Sequence, residues 1–214
     1  MPMLIQDAAF NRKLIDDGLN QEQAALFLEK GTELYHVPTI DLSKFDNYEL
    51  LISAVDHKYE GQECKKIRLI HFGENGPEIV YAVNLVLCDH VYKGKHCTQV
   101  MVWRKAGKAH RAVLRDLPML MFEHFIQEYV VIVSDDEQTE QGRGFWVNRV
   151  YEAIEDNMHV YFVDLNELSD DLVPVLNPIH TVQEFNDVWN DHGWGKTEEY
   201  KDRLFVISTE DIAN

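Results

Sequence analysis

Residues 129–133 read Tyr-Val-Val-Ile-Val, a run with no polar residue on either side of the strand alternation. A strand of this kind is buried on both faces, because each side of its pleat presents apolar side chains. It therefore asks for a sheet covered above and below. Upstream, Glu78–Cys88 is rich in β-branched and aromatic residues and reads as a central strand. Lys66–Phe72 precedes it across the turn chemistry of Glu74-Asn75-Gly76-Pro77, and Cys97–Trp103 follows across Tyr92-Lys93-Gly94-Lys95. These three segments predict an antiparallel meander.

Helical spacing takes over after Gly107, where Val113, Leu114, Leu117, Leu120, Met121 and Phe125 form one apolar stripe. Pro118 lies inside it and predicts a kink or restart near Asp116. A helix over 142–157, a strand over His159–Val163, a short helix over Thr181–Asp191 and a last strand over Leu204–Ser208 complete the C-terminal part. At the other end, Asn20 is expected to cap a helix that stops at Gly31, and Leu34–Ile40 reads as a short strand. A second helix is expected from Ser43 or Asp46 through Tyr48, Leu51, Ile52 and Val55. The sum is an α/β fold, one domain over residues 1–214, with a mixed, partly antiparallel sheet and helices on both faces.

With 45% hydrophobic residues the chain can bury a real core. Its formal charge of -17 argues against a broad nucleic-acid surface, which needs clustered Lys and Arg. Acidity of this kind suits a solvated surface or a basic partner. No run approaches the roughly 18 to 20 apolar residues of a membrane span. The start MPMLIQDAAFNRK lacks the basic-then-apolar pattern of a secretory signal. Cys64, Cys88 and Cys97 are odd in number and widely spaced, as suits reduced thiols in a cytoplasm. A cytoplasmic protein with no membrane and no nucleic-acid partner is expected.

One window breaks the acidic rule. Between Arg104 and Arg115 stand Arg104, Lys105, Lys108, Arg111 and Arg115, with no acidic residue. At the chain's overall share of basic residues, a window of that length holds about one. The cluster falls where a strand ends and a helix begins, at Gly107. Free backbone N–H groups and the positive helix end point outward at such a junction, and glycine lets the backbone approach a phosphate closely. A ligand carrying a pyrophosphate or comparable anion is expected. Neither a Walker phosphate loop nor a G-x-G-x-x-G fingerprint occurs.

The sequence Arg104-x-x-Gly107-x-Ala109 resembles the [QR]-x-x-G-x-[GA] signature of the GNAT superfamily of N-acetyltransferases. The succession strand, signature, helix, buried strand, helix, strand is similar to that family's order, over roughly residues 60 to 165. The resemblance implies acetyl-CoA as cofactor. Val102 would serve the pantetheine arm, and Arg104, Lys105, Gly107, Lys108 and Ala109 the pyrophosphate. It also implies that Tyr151, in the helix after the buried strand, protonates the leaving CoA thiolate, as a phenol with a pKa near 10 can. An amine from a small molecule or peptide would attack the thioester, with the oxyanion held by a strand amide. His90, His96 and Asp135 are candidates for the base, and spacing does not choose among them. Asp156-Asn157-Met158 replaces the Gly-Phe that the family carries after this helix.

The loop 134–142, ending toward Trp146, resembles phage-encoded GNAT-like proteins. That likeness carries a second reading: a non-catalytic GNAT-like protein that binds a basic protein through its acidic surface. Residues 165–203 exceed the family's usual link and read as an insertion, with Trp189 and Trp194 either packed or forming a lid. Cys88, His90, His96 and Cys97 do not make a metal site. Consecutive His96 and Cys97 point to opposite faces of a strand, and no C-x-x-C is present. No third residue orients a Cys–His nucleophile pair.

Overall fold

The computed structural model describes residues 3–4, 13–133, 137–138, 140–170, 174–195, 197, 200 and 202–213. The class is α/β, with a large mixed sheet and helices. Contacts divide the chain into two compact units. The meander unit comprises Ala9–Leu87 and Val100–Phe125; the C-terminal unit comprises Met1–Ala8, Cys88–Gln99 and Ile126–Asn214.

In the meander unit, helix α1 spans Asp17–Glu29. Its cap is Asp16, whose carboxylate accepts from the Leu19 N–H at 2.9 Å. The expected cap, Asn20, is instead fully buried inside the helix. Its amide donates to the carbonyls of Leu14 and Ile79, and its oxygen accepts from the Ile79 N–H. Asp16 has the same capping chemistry four residues earlier, which frees Asn20 for a tertiary role. The chain leaves α1 through Gly31 at φ +88, as the sequence suggests.

Strands β2 (Thr32–Leu34), β3 (Tyr48–Ser53), β4 (His57–Tyr59), β5 (Gln62–Gly73), β6 (Gly76–Tyr92) and β7 (Lys95–Arg104) follow. Their order is β2-β3-β5-β6-β7, with β4 paired to β5, and the β2–β3, β3–β5, β4–β5 and β5–β6 pairs are antiparallel. The helix expected around Tyr48–Val55 is therefore strand β3. Leu50 and Leu51 are both buried, so both sides of β3 are covered and its apolar residues lose the clean alternation of a one-faced strand. Ile70, Ile79, Ala82 and Trp103 pack on one face with Ala24 and Phe27 of α1. Between β5 and β6 the register steps from Leu69↔Tyr81 to Ile70↔Ile79, which leaves Val80 as a bulge. The freed Val80 carbonyl accepts from the Lys105 N–H at 2.8 Å.

After β7 come two helices, α2 (Arg111–Leu114) and α3 (Leu117–Glu128), separated at Arg115 and Asp116. The break falls where Pro118 predicts it. Pro118 sits in the first turn of α3, where a missing N–H costs no helical bond.

In the C-terminal unit, β8 (Val130–Val133) is buried at every residue and runs parallel to β7 over Cys97–Gln99. Helix α4 (Glu140–Glu155) leads to β10 (His159–Asp164). The last strand, β12 (Arg203–Ser208), is antiparallel to both β8 and β10 and lies between them. Strand β11 (Asn177–Ile179) pairs with β10, while β1 (Met3–Leu4) and β9 (Glu137–Gln138) pair separately. Alternation splits β12 between two clusters. Leu204 and Val206 join Cys88, Cys97, Val130 and Ile132, and Phe205 meets Phe162, Phe185 and Trp194. Phe185 and Trp194 come from 165–203, whose helical part runs α5 (Val182–Glu184), a π-helical turn (Phe185–Trp189) and α6 (Asn190–Gly193). Trp194 is buried and Trp189 stacks on Phe162 at 4.7 Å, so both tryptophans pack in the described structure. Among the described residues, no helix is long and apolar enough to cross a membrane.

Candidate functional site

The turn at Arg104–Ala109 belongs to the meander unit and is tied down at its start by the Lys105–Val80 backbone bond. Gly107 adopts φ +116, a left-handed conformation that a side chain would strain, and nothing lies within 4 Å of where a Cβ would stand. Among the described residues, no hydrogen bond engages the backbone N–H groups of Ala106, Gly107, Lys108 and Ala109. All four residues are exposed. Consecutive unpaired amides on an open turn form an anion-binding concavity. The helix that follows does not start at Gly107 but at Arg111, and it has 4 residues. Its dipole adds little, so the capacity for anions rests on the amides and the nearby cations.

The five cations do not act alike. The side chains of Arg104, Lys108 and Arg111 are exposed and have no hydrogen-bond or ion-pair partner among the described residues. Arg115 pairs with Asp116 at 3.1 Å. Lys105 turns inward, donating to Asp17 at 2.8 Å and to Glu78. Burial alone would lower the Lys105 pKa, but the two carboxylates outweigh it and leave it raised. Val102 stands half-buried in β7, three residues beyond the Gln99↔Ile132 pair of the β7–β8 ladder.

Beneath the turn lies a cluster absent from the sequence expectations. Tyr48 is the cross-strand partner of His71, and His71 of Glu78, so the three side chains stand in one row across β3, β5 and β6. They face away from the side that Ile70 and Ile79 present to α1. His110, the residue before α2, closes over the row. Its Nδ1 meets the Tyr48 hydroxyl at 2.9 Å, and its Nε2 stands 3.4 Å from Glu78 Oε1. His71 Nδ1 lies 2.9 Å from the same Oε1. Burial holds the His110 pKa below its ordinary value, although Glu78 pulls the other way. Burial would raise Glu78, but hydrogen bonds from Lys105 and His71 bring it below the usual range. Burial, aided by the Glu78 charge, raises Tyr48. The signal for this cluster was present in the turn 74–77: a hairpin there pairs His71 with Glu78, and His110 directly follows the signature.

Tyr151 lies on α4, in the C-terminal unit, whereas the turn belongs to the other. Its hydroxyl donates to Asn186 Oδ1 at 2.6 Å, and its ring meets Phe185 edge-on at 5.6 Å. Of the candidate bases, His96 is exposed on β7. Asp135 and the side chain of His90 lie outside the described residues. Cys88 and Cys97 are buried thiols whose pKa values burial pushes up, Cys97 to about 12, so neither is a ready thiolate.

Comparison with known proteins finds no family model that matches the chain and no curated protein or solved structure similar to it.

Proposed function

We propose that this chain is a GNAT-like, acetyl-CoA-dependent N-acetyltransferase that anchors the cofactor's pyrophosphate on the turn after β7. The observation that carries this reading is the run of four amides at Ala106–Ala109 that no described residue engages, flanked by the side chains of Arg104, Lys108 and Arg111, which have no partner among the described residues. A pyrophosphate satisfies those donors and the three charges together. The succession β7, turn, α2–α3, buried β8, α4 and β10 supports it, since that is the family's order. So does the parallel β7–β8 pair inside a mostly antiparallel sheet. Val102 offers its backbone to the pantetheine arm. Lys105 steadies the turn from beneath through Asp17 and Glu78 instead of touching the phosphates. Tyr151 supplies the proton to the CoA thiolate once it gives up Asn186, and the acceptor is an amine of a small molecule or peptide.

Calorimetry with acetyl-CoA tests the reading. The wild type binds, and Gly107→Glu, which puts a carboxylate among the amides, abolishes the heat without changing the circular dichroism. Absence of binding by a folded wild type at millimolar acetyl-CoA contradicts it.

A non-catalytic role, in which the acidic surface engages a basic protein, is favoured by one observation. The Tyr151 hydroxyl is already committed to Asn186, 35 residues away in the region of the insertion. Under that reading Tyr151→Phe leaves every activity unchanged. Under the first it lowers kcat with a primary-amine acceptor while KM for acetyl-CoA stays constant.

A further inference from the structure

We propose that His71, Glu78 and His110 bind a divalent transition-metal ion of the zinc type. The ligand atoms of the three side chains all lie within 4.8 Å of one another. Two of the separations, 2.9 Å for His71 Nδ1 to Glu78 Oε1 and 3.4 Å for His110 Nε2 to the same oxygen, bracket the spacing a zinc site needs. Donors bound at about 2.0–2.1 Å in a tetrahedron stand roughly 3.4 Å apart. Two imidazoles and one carboxylate are a donor set that suits zinc and its neighbours and leaves a fourth position for water or substrate.

The surroundings fit the same assignment. A metal-bound histidine hands its other ring nitrogen to an oxygen, which fixes the tautomer. His110 has that arrangement: Nδ1 faces the Tyr48 hydroxyl, leaving Nε2 for the ion. Glu78 is divided in the same way, with Oε2 held by Lys105 and Oε1 turned to the two imidazoles. Lys105 is the cation that opposes the ion, and Asp17 at 2.8 Å offsets it. The carboxylates of Glu78 and Asp17 stand against the one ammonium of Lys105 beside the three ligand atoms. Two ligands are fixed by strand register and the third follows the turn after β7. Binding therefore clamps that turn to the β5–β6 hairpin.

The test is competition of the purified full chain with a chromogenic chelator for Zn2+, alongside the visible absorption of the Co2+ form. The wild type takes one equivalent of Zn2+ and gives the intense bands of low-coordinate Co2+. The double variant His71→Ala/His110→Ala loses at least about tenfold in Zn2+ affinity and loses the bands. Tyr48→Phe retains the bands and weakens binding severalfold. If the double variant does not fold, Glu78→Gln, which keeps the shape and the Lys105 contact as an acceptor, carries the comparison. Equal Zn2+ affinity in the wild type and a folded ligand variant overturns the proposal, as does a wild type whose Co2+ spectrum is that of the free ion.

Discussion

The two units solve burial differently. The C-terminal unit covers Phe205 and Phe162 with Phe185 and Trp194, an aromatic cluster whose rings meet edge-on or tilted. Both units bury polar side chains, Thr98, Arg149 and Ser208 in the C-terminal one and Asn20, Arg68, Asn84 and His110 in the meander unit, where they are tied into tertiary hydrogen bonds. Arg68 shows the contrast best. It is buried with its guanidinium on the carbonyls of Ile67 and Val83 and on Asn84 Oδ1, and burial pulls its pKa down to about 10. Apolar packing tolerates substitutes of similar volume, whereas a buried polar network demands particular partners. The meander unit also carries the basic turn and the His–Glu cluster, and its buried His110 is itself a member of that cluster.

The largest effect that sharpens this comparison is expected at Phe205, which is fully buried. Phe205→Ala should cost about 3–5 kcal/mol in urea unfolding, through lost contacts and a cavity. Asn20→Ala should cost about 2–3 kcal/mol, because it strands both the N–H and the carbonyl of Ile79. Asn20→Leu should recover none of that loss, whereas Phe205→Leu should recover part of its own. Equal tolerance at the two positions breaks the distinction.

A smaller effect is set by pH. The His110 pKa lies below its ordinary 6.5, so on acidification the unfolded chain takes up a proton before the folded one. Stability should fall as pH drops below about 6.5. Glu78 lies below its ordinary 4.5, so its contribution is intact above that value and is lost on further acidification through its folded pKa. Thermal melts from pH 8 to 4 check both, and His110→Gln should remove the first decline while leaving the second. The smallest effect is Tyr151→Phe, where an exposed hydrogen bond is lost; its stability should change by less than about 0.5 kcal/mol.

Much of this was legible in the chain. Val130–Val133 of the Tyr-Val-Val-Ile-Val run form a strand buried at every residue, and the turn residues 74–77 and 92–95 delivered the meander. Pro118 marked the break before α3. Strand β3 was illegible, because cover on both faces erased the alternation that separates strand from helix. Asn20 was misread for a related reason: its capping chemistry is local, and its actual partner, Ile79, is 59 residues away. The basic turn could be read as charge, but not its sorting. Only the fold reveals that Lys105 is committed to Asp17 and Glu78 while the side chains of Arg104, Lys108 and Arg111 have no partner among the described residues. For His71, Glu78 and His110, the turn at 74–77 signals the pairing of the first two, and only the fold shows that the turn after β7 brings His110 over them.

The central claim is that the amides of Ala106–Ala109 hold an anionic cofactor, and nitrogen–proton correlation spectra during a titration with acetyl-CoA test it most directly. The account predicts saturable downfield shifts of those four amide protons, larger than at any other site and absent in Gly107→Glu. Saturable binding that leaves the four amides unmoved, or no shifts anywhere at millimolar acetyl-CoA, contradicts it.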